Sequence, residues 1–138
     1  MYFKPSIWFL AVFWILIAAL HAWSLLNAGY FYIWWLDVLL HFLGGLWLGS
    51  IAIFFLAPRL EQLRLNPFFV FVVLISLVAL GGILWEFFEY GYDLAIGRKG
   101  LGPIAQPGVD DTMADLFLDL LGGALAYFLF RKKPSSLL

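Results

Sequence analysis

Acidic side chains recur every fourth residue at the start of the last apolar segment of the chain. Asp111, Asp115 and Asp119 are spaced so that, on an α-helix, their carboxylates form one stripe along a single face. Such a stripe is costly inside a hydrophobic segment unless it faces protein, water, a proton or a cation. The spacing therefore predicts polar partners on other segments at the same depth.

Two other apolar segments carry polar residues with helical spacing. Asp37 and His41 are four residues apart and share a helix face, and Glu86 and Glu89 are three residues apart. Taken alone, the first pair slightly favours a local contact that stabilises both groups and needs no ligand. We predict that the segments form one bundle, whose buried cluster comprises His41, Glu86, Asp115, Asp119, Asp37 and Glu89, with His21 and Asp111 as additional candidates.

The chemistry of this cluster follows from its residue types. No Lys or Arg lies in the apolar segments to neutralise the acids, so they must share protons, face a water-filled vestibule or bind a cation. Oxygen ligands with one or two imidazoles and no sulfur suit Mg²⁺, Ca²⁺, Mn²⁺, Fe²⁺ or Zn²⁺ without distinguishing between them. Di-metal carboxylate sites are built similarly in four-helix bundles, although the Glu-x-x-His motif is missing here.

We predict a divalent metal held by His41, Glu86, Asp115 and Asp119. Glu89 is expected to assist, and Asp37 is expected to orient the His41 ring without binding the metal itself. A proton-sharing or hydrated network remains the alternative. No nucleophile motif identifies a catalytic residue.

Composition indicates that transmembrane helices must position the acids and the histidine. The chain has 138 residues, of which 64% are hydrophobic and 12% charged, which indicates an integral membrane protein. Four apolar stretches, residues 7–26, 34–56, 68–90 and 111–130, are long enough to cross a bilayer as helices. We therefore predict an all-α, polytopic four-transmembrane-helix bundle forming a single membrane domain over residues 1–138.

The positive charges predict the orientation of this bundle. If the four segments alternate in direction, six of the eight Lys and Arg residues fall on the side of both termini, which favours cytoplasmic N- and C-termini. The first segment lacks a convincing cleavage site and is expected to be a retained helix. The polar stretch at residues 57–67, bracketed by prolines, is expected to be a cytoplasmic loop.

Small residues and a long loop complete the pattern. Ala18-Ala19, Gly44-Gly45, Gly81-Gly82 and Gly122-Gly123 each lie one turn deeper than the polar residue of their segment, and predict close helix packing below the cluster. Residues 97–110 are rich in Gly and Pro and are expected to be either a lid over the acids or a mobile connection. Asp93 is expected at the solvated interface, and Asp110 or Asp111 as the cap of the last helix.

Three motifs carry a resemblance to a known group of proteins. They are Asp37-x-x-x-His41-x-x-x-Gly45, Trp85-Glu86-x-x-Glu89 and Asp111-Thr112-x-x-Asp115-x-x-x-Asp119-x-x-x-Gly123. In this order they resemble small bacterial inner-membrane proteins of the YjdF and VanZ-like type, over residues 35–123. The resemblance implies a helical bundle of the bacterial inner membrane and, for the VanZ-like branch, a link to the cell envelope and glycopeptide resistance. VanZ-like sequences are expected to carry an Asn-containing motif where this chain has Asp119.

Three classes of function remain open. The leading hypothesis is metal-assisted attack on a lipid-linked or envelope substrate by a protein embedded in the lipid bilayer. A cation or proton transport subunit is the second, and it would need a homo-oligomer because four helices are few for a transporter. The third is a structural or partner-binding subunit whose acids pair with a basic residue elsewhere. The sequence shows no nucleic-acid-binding patch and no nucleotide-binding glycine loop.

Overall fold

The computed structural model describes residues 2–131, which form helices and no strand. Its elements are α1 (Ile7–Leu26), α2 (Gly29–Tyr32), α3 (Leu36–Gln62), α4 (Pro67–Ala95), a 3₁₀ turn (Gly97–Lys99) and α5 (Val109–Phe130). Of these, α1, α3, α4 and α5 are long and apolar enough to cross a membrane. The predicted all-α, four-span membrane fold is confirmed.

Local signals in the sequence start two of the long helices. The Ser6 hydroxyl accepts a hydrogen bond from the Phe9 amide at 3.0 Å and caps α1. The Asn66 side chain accepts one from the Phe68 amide at 2.8 Å, and Pro67 occupies the first turn of α4, where its missing N–H costs no helical bond.

Three helix ends differ from the sequence-based expectation. The predicted loop at residues 57–67 is wrong for residues 57–62, because α3 continues through Pro58 to Gln62. One proline removes a single backbone donor, and the four residues that follow it are good helix formers. In addition, α4 extends to Ala95, and α5 begins at Val109 after Gly108. The cap position is therefore Gly108, and the two acids at residues 110–111 lie in the first turn, where the helix dipole favours them.

Hydrogen bonds between helices define the two ends of the bundle. The Tyr127 hydroxyl donates to the Pro67 carbonyl at 2.9 Å, and the Phe3 amide donates to the Phe130 carbonyl at 2.7 Å. The first and last described residues thus meet at one end, called here the termini end. The opposite end, where α3 begins and α4 finishes, is called the site end.

Glycines let α3 and α5 approach closely. A Cβ atom added at Gly45 would fall on the backbone of Asp119, and one at Gly122 would fall on the Phe42 carbonyl oxygen. Gly49 faces Ala126, where an added Cβ would lie 2.8 Å from the alanine Cβ. Small residues at four-residue spacing permit such close approach in membrane helices. The two helices run in the same direction, and their acid and histidine side chains lie at one depth.

Helix α1 is the peripheral span. It packs against α2 and α3, and no backbone contact joins it to α4 in the described part of the chain. The Trp47 indole of α3 donates a hydrogen bond to the Leu10 carbonyl at 2.9 Å and holds α1 in place. The side of the bundle between α1 and α4 is therefore not closed by helix packing.

Candidate metal centre

The close approach of α3 and α5 places His41 between acids of α5. The His41 Nδ1 atom lies 3.6 Å from Asp119 Oδ1, and its Nε2 atom lies 3.7 Å from Asp115 Oδ2. Asp37, one turn earlier on α3, is 3.9 Å from the same Nε2 atom. His41, Asp115 and Asp119 are all buried. Each ring nitrogen of the histidine thus faces at least one carboxylate.

Helix α4 adds two buried glutamates to this cluster. Glu89 Oε1 accepts a hydrogen bond from the Trp85 indole at 2.9 Å, and Glu86 Oε2 accepts one from the Gln106 amide at 2.7 Å. The other oxygen of Glu86, Oε1, is buried without a hydrogen-bond partner among the described residues, and so is Asp115 Oδ2. Because buried polar atoms are almost always satisfied, these two oxygens indicate a missing proton or cation.

The ligand atoms converge in three overlapping sets. In each set the nitrogen and oxygen atoms lie within 4.8 Å of one another, a separation that one ion bonded to all of them at 2.0–2.6 Å would produce. The sets are Asp37, His41 and Glu89; His41, Glu86 and Asp115; and Asp37, Asp111 and Asp115. The structure therefore brings together six of the residues that the sequence analysis grouped, from three separate stretches of the chain.

Asp119 occupies a different position from the other candidates. It belongs to none of the three sets, and it faces Nδ1 of His41 while Asp37 and Asp115 face Nε2. The sequence analysis expected Asp119 to be a ligand and Asp37 to orient the ring. The geometry suits the reverse assignment, in which Asp119 orients the imidazole and Asp37 lies on the ligand side.

His21 lies outside the three sets. Its Nδ1 atom is 2.6 Å from the Tyr30 hydroxyl, and its ring meets that of Trp85 edge to face. Tyr30 lies between the first two spans, and burial raises the pKa of its hydroxyl, with the nearby carboxylates of Asp37 and Glu89 adding to the increase. The hydroxyl therefore keeps its proton and can donate it in a hydrogen bond to His21.

Asp93 anchors the segment that follows α4 over the cluster. Its carboxylate is 1% exposed and accepts hydrogen bonds from the backbone amides of Ala105 and Gln106 at 2.8 and 3.0 Å. The expectation of a solvated Asp93 is wrong, because the chain folds back onto it. We call residues 100–108 the cap loop. Its backbone is held in place, which favours the lid over the mobile connection.

Sequence reasoning missed two residues of the site. The Gln106 side-chain amide donates to both Glu86 and the Thr112 hydroxyl, the latter at 2.9 Å. Gln106 lies in a stretch with no periodicity, and its main partner is 20 residues away, so no spacing pattern could reveal it. The position of Thr112 beside Asp111 was the only local signal.

A cavity of about 390 Å³ borders the cluster between α1, α3 and α4. Asp37, His41 and Glu89 line it, as does Asp119, so one complete ligand set faces this space. Glu86 and Asp115 do not line it, and Glu86 contacts Gln106 of the cap loop. The cluster thus separates a cavity between the helices from a polar region under the loop.

Comparison with known proteins identifies one family. A family model described as "Predicted membrane protein (DUF2238)" matches residues 1–133, which is nearly the whole chain. No curated protein and no solved structure matches the chain.

Proposed function

Because the chain belongs to the DUF2238 family of membrane proteins, its acid and histidine cluster is embedded in a bilayer protein, and we propose that it holds a divalent cation. His41, Glu86 and Asp115 form the central ligand set, and Asp37 and Glu89 add further oxygens. The observation that carries this proposal is a group of three buried carboxylate oxygens that accept no hydrogen bond from the described residues, Glu86 Oε1, Asp111 Oδ2 and Asp115 Oδ2.

Electrostatics supports a cation over an unliganded cluster. Within the described chain, Asp37, Asp115 and Asp119 form ion-pair contacts with His41, and no acid of the cluster forms one with a Lys or Arg. A charge near the middle of a membrane helix costs roughly 2.5–3.5 kcal/mol on insertion scales, so several uncompensated carboxylates would be strongly destabilising. A divalent ion offsets two negative charges and gives the unpartnered oxygens a ligand bond. The oxygen-rich set suits Mg²⁺, Ca²⁺, Mn²⁺, Fe²⁺ or Zn²⁺.

Asp119 and Gln106 act as positioning residues in this proposal. With a proton on Nδ1 facing Asp119, the Nε2 lone pair of His41 points toward Asp115 and the cation. Gln106 holds one oxygen of Glu86 and leaves the other free to ligate. Loss of either contact would misalign a ligand without removing it.

The wider role that we propose is cell-envelope chemistry on a lipid-linked substrate. The chemistry such an ion supplies is Lewis-acid polarisation of a substrate oxygen. The resemblance to YjdF and VanZ-like proteins supports a place in the bacterial inner membrane, and the positive charges support cytoplasmic termini with the site end facing outward.

The packing below the cluster weighs against transport through a single chain. Toward the termini end, Ile53, Leu74 and Val78 are each at most 1% exposed. An ion that leaves the cluster in this direction would meet mainly buried apolar side chains, and the buried Ser50 hydroxyl there already donates to the Leu46 carbonyl, which makes the path unfavourable. The observations therefore favour a site that binds an ion over a pathway that conducts one.

Metal content of the purified protein tests the proposal. The protein, without a polyhistidine tag, is dialysed in detergent against each candidate ion, and bound metal and the thermal midpoint are measured. We expect near-stoichiometric metal and a raised midpoint for the wild type, and loss of both in His41→Ala and Asp115→Asn. Asp110→Asn is the matched control, since it makes the same change on the same helix at an exposed side chain.

Two results would overturn the proposal. One is a wild-type protein that takes up no candidate ion and whose midpoint none of them shifts. The other is an Asp115→Asn variant that retains as much metal as Asp110→Asn.

A further inference from the structure

The cavity beside the cluster is polar at one end and apolar along the rest of its length. Its polar groups lie at the site end, whereas the deeper walls are formed by Trp14, Ile17 and Ala18 of α1 and Leu48 of α3, together with glycines of α3 and α4. All three helices are membrane spans. A ligand that fills this space must therefore combine an apolar body with a polar head.

The cavity faces the gap between α1 and α4. In the described chain these two helices make no backbone contact, and they meet at the site end through the edge-to-face contact of His21 and Trp85. Trp14 of α1 and Trp85 of α4, which both line the cavity, are 52% and 40% exposed. At this depth the surrounding medium is hydrocarbon, so the molecules with access through the gap are membrane lipids.

Gly44 keeps the cavity open although helix packing does not require it to be glycine. A Cβ atom added there would meet only Asp119 Oδ1, at 3.9 Å, whereas one at Gly45 would collide with the Asp119 backbone. Glycine inside a helix costs about 0.5–1 kcal/mol relative to alanine, and close packing does not explain that cost at Gly44. The space that a side chain at Gly44 would take is instead part of the cavity.

The polar end of the cavity is one of the three ligand sets. With one atom from each of its five proposed ligands, the cation has fewer bonds than the six or more that Mg²⁺ or Ca²⁺ takes. Asp37, His41 and Glu89 line the cavity, so the open coordination position is on the cavity side. Without a cation, the carboxylates of Asp37, Glu89 and Asp119 would repel an anionic head group. With a cation, an anionic oxygen is the ligand that completes the site.

We propose that this cavity binds one hydrocarbon chain of a membrane lipid that carries a phosphate head group, with a phosphate oxygen completing the coordination of the cation at Asp37, His41 and Glu89. The inference rests on the proposed cation site and adds the class of substrate. Binding requires the chain, the phosphate and the cation together.

Native mass spectrometry in detergent tests this with three probes. Dioleoyl phosphatidic acid carries chain and phosphate, dioleoylglycerol carries the same chains without phosphate, and glycerol 3-phosphate carries phosphate without chains. We expect metal-loaded wild type to bind phosphatidic acid at least about tenfold more tightly than either other probe, and EDTA to abolish this preference, because tenfold corresponds to one good interaction of about 1.4 kcal/mol.

Variants separate this proposal from the metal site itself. Gly44→Leu fills the cavity and should weaken phosphatidic acid binding at least about tenfold while metal content stays at the wild-type level. Gly91→Leu is the matched control, since nothing lies within 4 Å of its added Cβ on the outside of α4. Ala18→Phe fills the same cavity from α1 and serves if Gly44→Leu does not fold.

The outcomes distinguish the two proposals. Metal-loaded wild type that binds phosphatidic acid and dioleoylglycerol equally, or cavity-filled variants that bind phosphatidic acid as Gly91→Leu does, would overturn the lipid phosphate site and leave the cation site standing. Absence of bound metal in the wild type would overturn both.

Discussion

Replacing Asp93 with alanine should release the cap loop from the end of α4. The carboxylate accepts two backbone hydrogen bonds, from Ala105 and Gln106, in an environment where it is 1% exposed. Hydrogen bonds to a charged group contribute roughly 1.5–3 kcal/mol each, so the free energy that holds the loop against α4 falls by about 3–6 kcal/mol. The Gln106 side chain still reaches Glu86 and Thr112, which favours the lower end of this range.

Hydrogen exchange measures this release directly. At about 1.4 kcal/mol for each factor of ten, the amides of Ala105 and Gln106 should exchange at least about 100-fold faster in Asp93→Ala than in the wild type. Asp93→Asn keeps one acceptor oxygen and should give an intermediate rate. Asp110→Ala, an exposed acid beside the cap loop, should leave the rate unchanged. Equal protection of the two amides in Asp93→Ala and wild type would refute the anchoring role of Asp93.

Two further predictions concern packing and orientation. Gly122→Ala places a methyl group against the Phe42 carbonyl and should destabilise the fold by about 1–3 kcal/mol. Gly91→Ala, in open space, should be neutral or stabilising by up to about 1 kcal/mol; equal thermal midpoints for the two variants would contradict the glycine-mediated contact. The chain has no cysteine, so single Leu63→Cys and Leu101→Cys variants, both exposed, report topology in intact cells. A membrane-impermeant thiol reagent should label only Leu101→Cys, and the reverse pattern would contradict the proposed orientation.

Most residues of the site could be predicted from helix periodicity in the sequence. Asp37 and His41, and Asp115 and Asp119, are paired by four-residue spacing on single helices, and such pairs are adjacent whatever the tertiary fold. Their convergence could be expected because polar groups in membrane helices turn toward one another. Which ring nitrogen of His41 each acid faces could not be predicted, because it depends on the rotation of α3 against α5.

The contacts of the cap loop could not be predicted from the sequence. The position of Asp93 after the apolar part of α4 predicts a solvated side chain. In the fold, the backbone amides of residues 105–106 donate hydrogen bonds to its carboxylate. A loop rich in Gly and Pro has no period from which to infer its path. Its course depends on whether its backbone amides find acceptors elsewhere in the fold.

By itself, the sequence determined that this is a four-span helical membrane protein with acids and a histidine grouped at one depth, because hydropathy and periodicity are properties of single segments. The tertiary structure decided which groups share a ligand set, that Asp119 stands apart from the others, and that α1 leaves a cavity beside α4. Those features depend on how closely two helices approach. Here α3 and α5 approach closely because Gly45 and Gly122 have no side chains.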